Sequence, residues 1–107
     1  MNKYRNKPCE FNGEKYRSQK ERDRHLDLIQ CEKVGLIADL KREVPFVLAL
    51  SVKVQGRKRP ALRYIADFTY TKPLGPVVED CKGVRTTAYN IKRHLMMSVH
   101  GVEIFET

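Results

Sequence analysis

The sequence has no tryptophan, three cysteines and no long apolar run. Cys9, Cys31 and Cys81 are far apart and odd in number, and no CxxC or Cys/His zinc spacing joins them. That pattern argues against a disulfide scaffold and a zinc module, so free thiols in a reducing compartment are expected. The longest apolar stretch, residues 46–50, falls well short of the roughly 20 residues that span a bilayer. The opening MNKYRNKPCE has no apolar h-region, so no secretory signal is expected and a cytoplasmic location is. Repeats, linkers and low-complexity tracts are also missing.

What is present fits one domain, residues 1–107, with one core. Hydrophobic residues make up 41%, enough for that core. Charged residues make up 32% but are mixed in sign, which argues against wholesale disorder. The formal net charge of +8 implies a polyanionic partner, nucleic acid first and anionic membrane second.

Local signals set an element order. Asn12-Gly13 reads as a two-residue turn within a hairpin over residues 8–17. Ser18 and Glu21 form a capping-box pattern that opens a helix running to about Val34, with Gly35 as its stop. Leu26, Ile29 and Val34 are expected on its apolar face. Residues 44–54 read as one strand, with Phe46, Leu48, Leu50, Val52 and Val54 of one parity. A basic loop, residues 55–60, leads to a second strand over 61–70. A turn over 71–76 leads to a third strand over 77–82, ended by Gly83. Ala88, Ile91, Leu95 and Val99 mark a second helix, and residues 102–105 a closing strand. The order is hairpin-α-β-β-β-α-β, an α+β (α/β) sandwich on a mixed sheet flanked by helices. Its three consecutive strands should be antiparallel and the last should return in parallel.

The acids are more informative than the net charge. Between Ser51 and Arg93 there are ten basic residues and three acids, Asp67, Glu79 and Asp80. A surface that meets phosphate should shed carboxylates, so those it keeps suggest a cation held against the phosphate. Strand parity places Asp80 and Lys82 on one face and Glu79 on the other, and an adjacent antiparallel strand can bring Asp67 beside Asp80. Two carboxylates and a lysine at a sheet edge suit metal-assisted attack of water on a phosphodiester. Each piece also has an ordinary reading. Asp67 can be a solvated strand-end carboxylate, Asp80 and Lys82 a surface ion pair, and Glu21 a capping partner. His25, His94 and His100 read as surface or helix-packing residues, and Met96 and Met97 as core filling. Arg57, Lys58 and Arg59 are phosphate-contact candidates, with solvated loop charge the alternative. Thr86, Thr87, Tyr89, Lys92 and Arg93 could meet a DNA backbone.

Asp67, twelve residues, then Asp80-Cys81-Lys82 resembles the PD-(D/E)XK nuclease signature, with Ala66 where the signature has proline. Tyr64-Ile65-Ala66-Asp67-Phe68, then Val78-Glu79-Asp80-Cys81-Lys82-Gly83, then a helix containing Lys92 resembles the phage endonuclease I family of Holliday-junction resolvases. Nearly the whole chain further resembles small phage and prophage proteins with a KYRNK-like head, an S-x-x-E helix, YIADF and VVEDxKG. The resemblance implies a restriction-endonuclease-like core and a Mg2+-dependent endonuclease in which Mn2+ can substitute. It implies Glu21, Asp67 and Asp80 as metal carboxylates and Lys82 as the catalytic lysine. Glu79 is the rival of Asp80, and parity and the x-Lys spacing favour Asp80. Arg57, Lys58, Arg59, Arg85, Lys92 and Arg93 are the expected DNA contacts. The expected partners are branched DNA and a second copy of the chain, because two symmetric cuts need two sites. The compartment would be the host cytoplasm for a phage-encoded chain. A nicking or duplex-specific nuclease and a non-catalytic DNA-binding module are the alternatives.

Overall fold

The computed structural model describes residues 8–81 and 85–107. The chain forms an α+β fold with a four-stranded mixed sheet, two small two-stranded sheets and two helices. Strands β1 (Cys9–Phe11) and β2 (Glu14–Tyr16) pair across Asn12 and Gly13, both at positive φ, as the primed hairpin turn requires. The Ser18 hydroxyl then accepts the Glu21 backbone N–H at 3.1 Å and starts α1 (Gln19–Lys33). Gly35, at φ 83°, closes the helix, where its N–H meets the Glu32 carbonyl.

The sheet order is β3-β6-β7-β8, built from β3 (Ala38–Ala49), β6 (Leu62–Lys72), β7 (Gly75–Asp80) and β8 (Phe105–Glu106). The first three are antiparallel, and β8 lies parallel to β7 after the crossover through α2 (Thr87–His100). This is the expected topology.

Several boundaries differ from expectation. Residues 44–54 are not one strand. The first long strand starts at Ala38 and ends at Ala49, and β4 (Val52–Val54) belongs to a separate ribbon with β5 (Arg57–Arg59). Gln55 and Gly56 both take positive φ, so the expected basic loop is itself a tight hairpin. Leu50, Val52 and Val54 keep the parity of Phe46 and Leu48 but are exposed. The expected 71–76 turn shrinks to two residues between Lys72 and Gly75, the third strand is β7, and the closing strand is pushed back to Phe105–Glu106.

The helix faces also differ. Glu21, His25 and Leu28 are the buried residues of α1, whereas Val34 is exposed. In α2 the buried residues are Tyr89 and Met96, and Ile91, Met97 and Val99 are exposed. In each helix a polar or amphipathic side chain takes a core position because a partner inside satisfies it. His25 accepts this role through the Tyr16 hydroxyl, 2.7 Å from Nδ1, and stacks on Phe68 with centroids 5.5 Å apart.

Two apolar clusters make up the core. Leu48, Tyr64, Ala66 and Val78 pack with Tyr89 and Met96 of α2. Leu28 of α1 packs with Ile37, Phe68 and Tyr70. Tyr64, Ala66, Phe68 and Tyr70 are all buried, as their shared parity implies, but they are divided between the two clusters. The division falls at Asp67, between Ala66 and Phe68.

Candidate functional site

Asp67, in the middle of β6, and Glu79 and Asp80, at the end of β7, lie where the β6–β7 ladder stops, and Glu21 stands in the first turn of α1. All four are buried, between 0% and 3% exposed. The surface readings of Asp67 and Asp80 therefore do not hold: neither is a solvated carboxylate.

The ladder between β6 and β7 has Phe68 opposite Glu79 at this end. One step further the Asp67 carboxylate takes the backbone's place, and its Oδ2 accepts the Cys81 N–H at 2.8 Å. Its Oδ1 accepts Arg17 Nη2 at 2.6 Å. Arg17 also stands 3.7 Å from Glu21 Oε1, four residues along the chain. Asp80 lies within the same field, since it helps raise the Arg17 pKa after Asp67 and Glu21, all against desolvation. Arg17 thus contacts two of the three acids expected to hold a metal, Asp67 and Glu21.

The Glu21 carboxylate does not turn back along its helix to complete the capping box. It faces inward, where Oε2 accepts Arg42 Nη2 at 3.3 Å. Burial, and next the charge of Asp67, hold the Glu21 carboxyl above its usual range despite Arg17 and Arg42. Asp80 Oδ2 accepts the Tyr64 hydroxyl at 2.5 Å. Burial and then this bond hold the Tyr64 phenol protonated far above its ordinary range.

Glu79 belongs to a different network. Arg24 grips both of its oxygens, at 2.6 and 2.9 Å. The Tyr70 hydroxyl donates to Oε1 at 2.6 Å and Thr107 Oγ1 to Oε2 at 3.3 Å. Burial and Glu79 push the Tyr70 phenol up to about 12. These contacts occupy Glu79 as a structural anchor between α1 and the sheet. Beside it, burial pushes the Cys81 thiol up to about 11, so it is an inert thiol at neutral pH.

Lys82 lies outside the described residues. Among the described residues, no three His, Cys, Asp or Glu side chains form a closed group able to hold a metal ion by themselves. The donor set nevertheless suits a hard divalent cation: Glu21 and Asp67 are buried oxygens whose mutual repulsion is incompletely relieved.

The expected DNA contacts fall into two groups. Arg57, Lys58 and Arg59 lie on the exposed ribbon, which includes no acid; none occurs between Glu43 and Asp67. Arg85 and Arg93 instead pair with Glu106, which also accepts the Tyr89 hydroxyl. These contacts draw the Glu106 carboxyl below its usual range, against its own desolvation. Lys92, on α2, is half-buried. Tyr89 is buried and so is not a backbone contact. Two clefts, of about 390 and 570 Å3, lie along α2 and the opposite end of the sheet, and neither includes Glu21, Asp67 or Asp80. Among the described residues no helix is long and apolar enough to cross a membrane.

Neither Arg17 nor Arg24 stands out in the sequence beyond its positive charge near the start of α1. The four-residue step from Arg17 to Glu21 was the available signal for one of these pairs. Nothing local pointed to Arg24 and Glu79, which are 55 positions apart.

These features define an α+β protein with buried acids at one end of a mixed sheet and a basic ribbon projecting from it. The chain belongs to the family described as "Protein of unknown function (DUF1064)", whose model matches residues 1–103. No curated protein and no solved structure matches it.

Proposed function

We propose that the protein is a metal-dependent endodeoxyribonuclease with a restriction-endonuclease-like core, acting on branched DNA as a homodimer. One observation carries the reading: Glu21, Asp67 and Asp80 are all buried, with Arg17 bonded to Asp67 and close to Glu21, in a chain whose net charge is +8. Burying a carboxylate costs several kcal/mol; Arg17, Arg42, the Cys81 N–H and the Tyr64 hydroxyl offset part of that cost here, and a bound cation would offset more.

Glu21, Asp67 and Asp80 would hold Mg2+ or Mn2+, which when bound polarises a phosphodiester and acidifies water. The chain's own groups do the positioning. Cys81 N–H fixes one oxygen of Asp67, and the Tyr64 hydroxyl fixes one oxygen of Asp80. Arg24 holds Glu79 out of the set. Lys82, next along from Cys81, is assigned to the developing charge on the phosphate. Arg57, Lys58 and Arg59 bind phosphate away from the acids, which positions DNA without reading its sequence.

A non-catalytic DNA-binding module is the second reading. It is favoured by the lack of a closed metal-holding group among the described residues. Cleavage of labelled four-way junction, flap and linear duplex in Mg2+, Mn2+ or EDTA separates the two. Metal-dependent cuts in the junction support the nuclease, equal cutting of all three points to a duplex-specific enzyme, and binding without cutting supports the module.

A further inference from the structure

Arg17 differs from the other arginines around the acids. Arg24 is gripped by Glu79, and Arg42 is confined between Glu14, Glu21 and the Tyr16 ring, 4.1 Å from its guanidinium. The Arg17 side chain is 65% exposed, while those of Asp67 and Glu21 are each 4% exposed. A mostly exposed guanidinium loses little on leaving, because water replaces its contacts. The buried carboxylates it leaves behind lose much more. The pair therefore requires a cation but does not require this one. Arg17 is also a poor match for the whole demand. Its 2.6 Å bond goes to Asp67, while its approach to Glu21 is only 3.7 Å. A divalent cation brings twice the charge and prefers oxygen ligands.

Resting on the metal-site reading above, we propose that Arg17 is the resident counter-ion of Glu21 and Asp67, and that a divalent cation binds by displacing it. Arg17 then sets the metal affinity of the apoprotein without being a ligand. It keeps the acids neutralised and the strand ends in place until metal arrives.

The test is calorimetric titration of Ca2+ into the full chain without DNA, for wild type, Arg17→Gln and Arg17→Gln/Asp67→Asn. Removing the competitor should tighten Ca2+ binding about tenfold, the worth of one charge-assisted hydrogen bond with a mostly solvated partner. The double variant should lose that gain, because Asp67 is the ligand set free. Thermal melts give an independent readout. In EDTA, Arg17→Gln should melt lower than wild type, and saturating Ca2+ should raise its midpoint more than that of wild type. If Arg17→Gln folds only with Ca2+, that too is the expected rescue. If it folds in neither condition, Arg17→Lys, which keeps the charge but not the forked contact, should show a smaller gain of the same sign. Equal or weaker Ca2+ binding by the Arg17 variants, with wild type binding normally, overturns displacement and leaves the metal site standing. No Ca2+ binding by any form overturns both.

Discussion

Glu79 and Asp80 are consecutive in the chain yet bond to different layers of the fold: Glu79 to Arg24 of α1, Asp80 to Tyr64 of β6. Strand alternation separates them, and burial makes each dependent on its own donors. Their variants should therefore fail in different ways. Glu79→Gln should destabilise the protein by about 3 kcal/mol, because it leaves the Arg24 charge unpaired in a half-buried position. Asp80→Asn should keep nearly normal stability, since an amide oxygen still accepts the Tyr64 hydroxyl, and should abolish cleavage. Denaturant melts beside junction cleavage check both. Stable, inactive Glu79→Gln would reverse the assignment.

Glu21 gives a prediction with a pH sign. Its folded carboxyl titrates above the ordinary value of 4.5, mainly through burial. The stability linked to its protonation is present below the unfolded value and is lost as pH rises through the folded one. Glu21→Gln removes that loss, so in EDTA the variant should melt above wild type at pH 7, with the gap closing toward pH 4.5. Its cleavage activity should fall by more than the roughly 10–100-fold typical of outer-shell partners. A variant that is active, or less stable at pH 7, would mark Glu21 as structural.

Tyr64 should act as a positioning residue. Tyr64→Phe deletes the donor to Asp80 while preserving the ring packed with Phe46 and Tyr89. A cost of about 1–3 kcal/mol is expected for a buried acceptor losing one hydrogen bond. Cleavage should fall by roughly 10–100-fold through weakened metal affinity, so raising Mg2+ should restore part of it. Loss that no Mg2+ concentration relieves would assign Tyr64 another role.

The exposed ribbon should supply phosphate contacts. Replacing Arg57, Lys58 and Arg59 together by alanine should flatten the salt dependence of DNA binding by up to about 2.7 in log–log slope, about 0.9 per contact. Junction and duplex affinity should fall alike, with folding unaffected because all three side chains are exposed. An unchanged slope would return these residues to solvated charge.

The parts of the fold legible in the sequence are those whose causes are local. The Asn12-Gly13 turn, the Ser18 cap and the Gly35 stop depend on a few neighbouring dihedrals, and each holds. The Gln55-Gly56 turn carries the same signal, but the basic run around it reads more easily as a loop. The helix faces were missed because apolar spacing counts Val34 and Ile91 as core. It cannot see that His25 has Tyr16 as a partner, or that Tyr89 has Glu106.

Composition and spacing by themselves determined the α+β order, the parallel return of β8 and the short list of acids to consider. Those follow from turn chemistry, from period-two and helical patterns, and from the scarcity of carboxylates between Ser51 and Arg93. The tertiary structure decided which acid is anchored, which face Glu21 presents and which arginine each carboxylate meets. Arg17 and Asp67 are 50 positions apart, and Arg24 and Glu79 are 55 apart. No local pattern encodes such pairs. They form because packing α1 over the sheet removes the acids from water, and each buried charge then needs whichever partner that packing brings within reach.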